Sequence, residues 1–405
     1  MHLSLSLSLI AVVGVTLFTT TPTSAQVASP PKLRCKCLPT DGCWPNEATW
    51  TEFGKTVGDR LIATTPVARE CHAPYLDQAK CEEIVKGYHK DTWRSLQPGA
   101  VMSANWETFR GEGCLLNQTA PCTQGEVPLY TVKALSVADV ETTIRFASKH
   151  NIRLVVKNTG HDYLGRSTAM NSISLWTHFM KGIKFDDKYT PEGAPAGTEG
   201  TDAIILEAGV VWDEAYKAAH ENNRMVVGGN HPTVGTSGGF CQSGGHGPLS
   251  PRHGLCVDNV LQYKIVTADG ILRIANAYQN QDLFWALRGG GPSYGVVVEA
   301  VYRTHPPASF VLIVSKITAP DEATMLAISQ AFYAHQSQLS KDGQATHSPV
   351  PTTSFWLIIS PTAPWIPPRL PLSPSLTLCV PSLELKSKWR TMPRSPHTRH
   401  SSMPG

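Results

Sequence analysis

The sequence predicts an α+β fold with mixed sheets. Two observations carry that reading. Between residues 130 and 301, apolar runs of strand length alternate with segments whose apolar residues recur at helical spacing. Two of those runs, 259–266 and 271–275, flank Asp269-Gly270, a hairpin turn signal. A composition of 41% hydrophobic and 17% charged residues in 405 fits this, because it excludes wholesale disorder and a fibrous repeat.

Residues 3–18 are apolar and uncharged, and Thr23-Ser24-Ala25 offers a small-residue cleavage site before Gln26. Residues 1–25 are therefore expected to be a signal peptide and the protein to be secreted. A membrane anchor is the competing reading, but the run is short for a span of about 20 residues. Asn117-Gln118-Thr119 is a glycosylation acceptor, in keeping with a lumenal route. Seven of the ten cysteines precede the midpoint: Cys35, Cys37, Cys43, Cys71, Cys81, Cys114 and Cys122. In an oxidising compartment they read as disulfide partners, with Cys114 and Cys122 closing a short loop. Cys35-Lys36-Cys37 with Cys43 lacks the usual C-x-x-C spacing of zinc, so no metal site is expected. A net charge of +3 with no basic stripe gives no reason to expect a nucleic-acid partner, and no later run is long enough to cross a bilayer.

Residues 130–132 read as a strand. Ser136 with Asp139 forms an N-cap signal, and Val137, Val140, Ile144 and Ala147 follow at helical spacing. Asn151 stops that helix and 152–156 is a buried-strand run, completing a strand-helix-strand unit. A strand at 203–206, a helix at 212–222 and a strand at 225–227 come next. After the hairpin, 282–287 is a short helix running into Gly289-Gly290-Gly291, and 296–301 is a strand.

Three glycine-rich loops punctuate these elements. The first runs from Lys157 through Gly160 and Gly165 to Ser167. The second begins at Gly228, passes Gly235-Thr236-Ser237-Gly238-Gly239 and Ser243-Gly244-Gly245-His246-Gly247, and ends at Gly254. The third is Leu287-Arg288-Gly289-Gly290-Gly291 with Gly295. Glycine lets backbone N–H groups approach phosphate oxygens closely, so several such loops suggest a ligand with a pyrophosphate. None is G-x-G-x-x-G, which excludes the Rossmann fingerprint. The bland alternative is tight turns in a sheet-rich domain. A rival motif is Gly235-Thr236-Ser237-Gly238-Gly239, which satisfies the G-x-S-x-G nucleophile elbow of a serine hydrolase using Ser237. That motif wants a strand immediately before and a helix immediately after. Pro232 interrupts upstream, and the glycines between 238 and 247 oppose a helix downstream.

The loops resemble a known family. Asn158-Thr159-Gly160-His161-Asp162-Tyr163, Pro232-Thr233-Val234-Gly235 and Asp282-Leu283-Phe284-Trp285-Ala286-Leu287-Arg288-Gly289-Gly290-Gly291 occur in the order found in FAD-linked oxidases. These are of the vanillyl-alcohol-oxidase and berberine-bridge-enzyme type, whose flavin-binding domain is called PCMH. The head, Cys35-Lys36-Cys37-Leu38-Pro39 with Cys43-Trp44-Pro45, is similar to a secreted fungal branch often labelled isoamyl alcohol oxidase-like. The resemblance covers about 35–307. It implies a cysteine-rich region at 26–124 and a PCMH-type domain of two α/β subdomains at 125–307. The start of a substrate domain is expected at 308–346, with a helix from Glu322 to Tyr333.

The cofactor implied is FAD, bonded through its 8α-methyl carbon to His161, which falls on the histidine of the family's Gly-His-Asp/Ser-Tyr motif. Members with a second covalent bond carry cysteine immediately before Pro-Thr-Val-Gly. Here that position is His231, so one link is expected and His231 is read as a polar neighbour of the flavin. Asn158, Thr159, Gly160, Asp162 and Tyr163 are expected along the pyrophosphate, with Gly235, Ser237, Gly238 and Gly239 as the second wall. Ser243, Gly244, Gly245 and His246 continue that wall, and Val297 is expected at the adenosine end. Trp285 and Leu287 are expected in the core, with Gly289 to Gly291 a tight turn against the sheet.

The implied activity is oxidation of an alcohol or amine carbon of a small-molecule substrate. A hydride passes to flavin N5, and O2 reoxidises the flavin to give H2O2. No catalytic base can be named from the chain. Residues 347–405 break the pattern: twelve prolines from residue 349 onward, and six basic residues against one acidic after residue 350, read as a disordered or aberrant tail whose only strand-like run is 357–359. The alternative of another class is a secreted flavin-binding fragment without activity.

Overall fold

The computed structural model describes residues 35–308 apart from 118 and 120, and beyond them 311–316, 319–341, 345–347, 354–359 and 386–389. The expected leader, 1–25, lies outside the described residues. Among the described residues no helix is long and apolar enough to cross a membrane.

Asn46 opens helix α1 (Glu47–Thr56) by accepting the Thr49 N–H at 2.9 Å. Strand β1 (Leu61–Ala63) and helices α2 (Gln78–Gly87) and α3 (Asp91–Ser95) follow. Disulfides Cys37–Cys43, Cys71–Cys81 and Cys114–Cys122 staple this head. Six of the seven cysteines expected to pair do so, and Cys35 is outside these bridges. The Cys37–Cys43 bond occupies two of the sulfurs that a zinc site would have needed.

Strand β2 (Tyr130–Lys133), helix α4 (Val137–Lys149) and strand β3 (Arg153–Lys157) form the expected strand-helix-strand run. Ser136 and Asp139 close a reciprocal capping box, and Asn151 turns the chain out of the helix at φ +52°. The two strands do not pair with each other. Strand β4 (Ser172–Trp176), buried along its whole length, lies between them and is parallel to both, while β1 closes the other edge antiparallel to β2. Trp50 stacks on Tyr130 at 4.1 Å and Phe53 on Phe146 at 3.9 Å, tying α1 to β2 and α4.

The second sheet is antiparallel. Strands β5 (Ile183–Tyr189) and β6 (Thr201–Glu207) lead to helix α5 (Trp212–Glu221) and the two-residue strand β7 (Met225–Val226). One-turn helices α6 (Gly239–Gln242) and α7 (Ser250–His253) precede strands β8 (Val260–Val266) and β9 (Leu272–Asn276), helix α8 (Gln281–Leu287) and strand β10 (Val296–His305). The order is β5-β6-β10-β8-β9, with β7 also paired to β10. Its core holds Trp212, Tyr263, Leu287 and Tyr302, all fully buried.

Three expectations need correction here. Trp285 is 81% exposed whereas Leu287 is fully buried. Helix α8 buries Phe284 and Leu287, three residues apart on one face, and so turns Trp285 to solvent. The glycines after Gly238 permit one helical turn, α6, instead of excluding helix. The turn at Gly289 to Gly291 is held by α6, because both Gly289 and Gly291 N–H groups donate to the Gln242 carbonyl, at 2.9 and 3.0 Å.

Strand β11 (Val311–Lys316), helix α9 (Glu322–Lys341) and strands β12 (Ala345–His347), β13 (Ser354–Ile359) and β14 (Lys386–Trp389) follow. Their sheet order is β12-β13-β11-β14, antiparallel throughout. Strands β13 and β14 fall within 347–405, so that region is not wholly without regular structure. Its aromatic and β-branched run at 354–359 reads as a strand once β11 offers an edge.

Candidate functional site

The end of β3 delivers the chain into the first glycine loop at Lys157, which is only 1% exposed. Its ammonium donates to the Gln97 and Pro98 carbonyls at 2.5 and 3.4 Å. Burial, partly offset by Glu107, lowers its pKa to about 7. Beside it lies the buried Arg94–Glu107 ion pair. Arg94 also donates to the Val101 and Tyr88 carbonyls, and Glu107 accepts the Val101 N–H at 2.9 Å. This cluster fixes residues 101 and 102 against the loop. Met102 N–H donates to the Gly160 carbonyl at 3.0 Å, and a Cβ on Gly160 would lie 3.0 Å from Val101 Cα. Gly160 has φ +90°, so glycine is required there by conformation and by space.

Asn158 is spent on the protein. Its Nδ2 donates to the Ala208 carbonyl at 2.5 Å, its Oδ1 meets His178 Nδ1 at 3.2 Å, and its carbonyl accepts Trp176 Nε1–H at 2.9 Å. Asn158 also dictates Gly235: a Cβ there would sit 2.1 Å from Asn158 Nδ2. The first and second glycine loops thus meet at this pair. Between them and the start of β10 opens a cavity of about 980 Å³, at the large end for a ligand site.

Asn158, Thr159, Gly160, His161, Asp162 and Tyr163 line it, as do Gly235, Ser237, Gly238, Gly239, Ser243, Gly245, His246 and Val297. Gly244 is not among the lining residues; its missing side chain would face Leu255. Tyr163 stands 89% exposed at the rim. Asp162 turns its carboxylate onto Arg166, whose guanidinium holds it below the usual carboxylate range against the opposing effect of partial burial.

Ser237 is buried, and its hydroxyl donates to the Leu206 carbonyl at 3.2 Å and faces Thr236 Oγ1 at 3.3 Å. Among the described residues its hydrogen-bond partners include no histidine. A nucleophile elbow needs an exposed hydroxyl beside a base.

His161 sits half-buried in the cavity wall. Burial first, then His231, lowers its pKa to about 4 against the opposing charge of Asp91, so the imidazole is neutral at pH 7. His161 Nε2 meets Thr233 Oγ1 at 2.7 Å. Thr233 Oγ1 meets His231 Nδ1 at 3.2 Å, and His231 Nε2 meets Asp91 Oδ2 at 2.9 Å. The two imidazoles lie 4.7 Å apart. Thr233 stands in a motif singled out from the sequence, but nothing in the sequence joins Asp91, on α3, to that loop. Gln242 is a second residue the sequence does not single out. It is buried on α6 at the cavity edge, and its Oε1 has no partner among the described residues.

The second wall is stapled from behind. Cys241–Cys256 links α6 to the turn before β8. Neither cysteine belongs to the head cluster, and their pairing was not foreseen. Both are fully buried.

Residues 128–276 match the family described as FAD binding domain. An uncharacterized FAD-linked oxidoreductase of Arthroderma benhamiae is 44% identical over 327 residues, covering 79% of this chain and 55% of its own. The FAD-linked oxidoreductase easE of Epichloe festucae var. lolii is 42% identical over 319 residues, covering 76% and 52%. Among solved structures, the VAO-type flavoprotein MtVAO615 of Myceliophthora thermophila C1 superposes with a TM-score of 0.72 at 36% identity, covering 82% of this chain and 61% of that one. The chain spans about half the length of the curated relatives it matches.

Proposed function

The chain belongs to the FAD-linked oxidoreductases with a PCMH-type FAD-binding domain, and from that premise we propose that it is a flavin oxidase holding FAD covalently through His161. The observation that carries this is the neutral, half-buried imidazole of His161 in the wall of a cavity built from glycine loops. The cavity suits the group. At Gly238 a Cβ would meet nothing within 4 Å, so the wall there stands open, and Gln242 keeps an unpaired buried oxygen at the cavity edge. When bound, the flavin would accept a hydride from an alcohol or amine carbon, and O2 would reoxidise it to give H2O2.

The chain's own residues bind and orient. Gly160, Gly235, Gly238 and Gly245 let the backbone approach the cofactor. Asn158 locks the two glycine loops together, and Thr233 fixes the His161 ring by its Nε2 edge, leaving Nδ1 to make the bond. His231 takes no bond to the flavin in this reading; its nitrogens are used by Thr233 and Asp91. The four disulfides among the described residues suit an oxidising compartment, and secretion with glycosylation at Asn117 is proposed on that ground. The domain limits of 125–307 and 308–346 are kept as part of the same reading.

The test is direct. The purified protein is expected to be yellow and to keep its flavin through acid precipitation, whereas His161→Ala releases it into the supernatant. Wild-type flavin that washes out completely would refute the covalent link.

A further inference from the structure

Where β10 ends, its last residue, His305, lies against His253, the last residue of α7. The two imidazoles are 3.9 Å apart and within 30° of parallel. His305 Nε2 meets Asn259 Oδ1 at 2.8 Å, and His253 Nε2 is buried with no hydrogen-bond partner among the described residues. Neither ring lines the flavin cavity, and no part of the proposed chemistry uses them.

A chain of hydrogen bonds nevertheless joins the pair to the cavity wall. Asn259 Nδ2 donates to the carbonyls of His253 and Leu255 at 3.0 and 2.9 Å, so the residue that meets His305 also holds the end of α7. Next along, Cys256 N–H donates to the Gly245 carbonyl at 2.8 Å and Val257 N–H to the Gly244 carbonyl at 3.1 Å. Cys256 is bridged to Cys241 on α6, and Gly245 lines the cavity. We infer that the His253–His305 stack is an acid-sensitive latch: neutral, it seats residues 253–257 behind the second glycine loop, and protonated, it releases them and loosens the hold on FAD. This rests on the reading of the cavity as the FAD site.

The surroundings give the latch its direction. Arg252 on α7 acts on His253, and Arg303 on β10 acts on His305. Asp258, the acidic residue of the turn Cys256–Asn259, turns its carboxylate to the Leu255 N–H at 2.8 Å. Arg288, beyond α8, donates to the Val257 carbonyl at 2.9 Å. Strand β7 meets His305 through Met225, and the neighbouring Arg224 is paired with Asp187 and Asp202. A proton on either ring therefore puts a charge beside a second imidazole and an arginine, in a half-buried place with no carboxylate paired to it among the described residues. Burial first, then His253 and Arg303, lowers the His305 pKa to about 4, and burial with Arg252 lowers that of His253. In a released segment both return towards about 6.5. Between these values the released form binds protons that the seated form does not, so acid favours release and the latch holds fully only above about 6.5.

The test uses the full 405-residue chain carrying His161→Ala, in which FAD is held without a covalent bond, and reads FAD affinity by flavin fluorescence from about pH 7 to about pH 4.5. The dissociation constant is expected to rise about tenfold across that range. His305→Gln keeps an amide for Asn259 without a charge, and His253→Phe keeps the stack. In the same background each should cut the rise to about twofold or less. In the otherwise unaltered chain, hydrogen exchange of peptides spanning 244–259, corrected for its intrinsic pH dependence, should quicken below about pH 6, and both variants should abolish that quickening. If the parent and both variants lose FAD alike, or the stretch is no more open in acid than at neutral pH, the latch is wrong although FAD is bound. If FAD binds at no pH, the cofactor reading fails, and the exchange measurement still decides whether the pair opens.

Discussion

Gly235 is the residue on which the two glycine loops depend most closely. An added Cβ would reach Asn158 Nδ2 at 2.1 Å, and Asn158 cannot yield without losing the Ala208 carbonyl and His178. Gly235→Ala is therefore expected to cost about 1–3 kcal/mol of stability and to weaken FAD uptake. A denaturant midpoint and a FAD titration check both; unchanged values would mean that Asn158 has another resting place. At this scale much of the cavity wall was legible, because glycine runs state where backbone must come close. His161 was legible only through its motif. Asp91 was not legible at all: it is one acidic residue at a helix start, and its meaning lies in a contact with a loop far along the chain. Trp285 misled because an apolar residue in a short helix declares no direction until the helix has a neighbour.

Among the elements, α6 owes its place to the Cys241–Cys256 bond. The bridge closes a 15-residue loop and brings Cys256 Cβ within 2.7 Å of where a Gly245 side chain would begin. Closing a loop of that size is worth about 3 kcal/mol in the chain-entropy account. Cys241→Ser with Cys256→Ser should lower stability by that order, read by urea unfolding. In a His161→Ala background, where flavin is held without a covalent bond, it should also loosen FAD. Unaltered FAD affinity there would separate the bridge from the cavity. Strands with clear apolar runs and turn punctuation, such as β8 and β9, were legible. Strand β4 was not, because Ser172-Ile173-Ser174-Leu175-Trp176 alternates like a half-exposed strand, yet all five residues are buried. Its serines are covered by packing that only the assembled sheet supplies.

For the whole molecule, burial leaves several histidines reluctant to charge, three of them strongly. His161 and His305 are lowered to about 4, and His178 to about 3, each chiefly by burial. Their unfolded value is about 6.5. Between the two values the unfolded chain takes up protons that the folded chain refuses, so stability rises with pH through this window and is lost on acidification. The urea midpoint is expected to fall as pH drops from about 6.5 towards 4, and His305→Gln should flatten that fall. A midpoint that rises on acidification would contradict the assignment.

The contact of Gly160 with Val101 has a consequence for biosynthesis. Residues 94–107 emerge before the first glycine loop, and the loop has no backing until they have folded against it. If FAD is tethered at His161 as proposed, the tether is a permanent stamp, applied only to chains whose first glycine loop has met residues 94–107. Brightness per molecule on a denaturing gel would report the yield of correct assembly in a cell, long after the folding event is over.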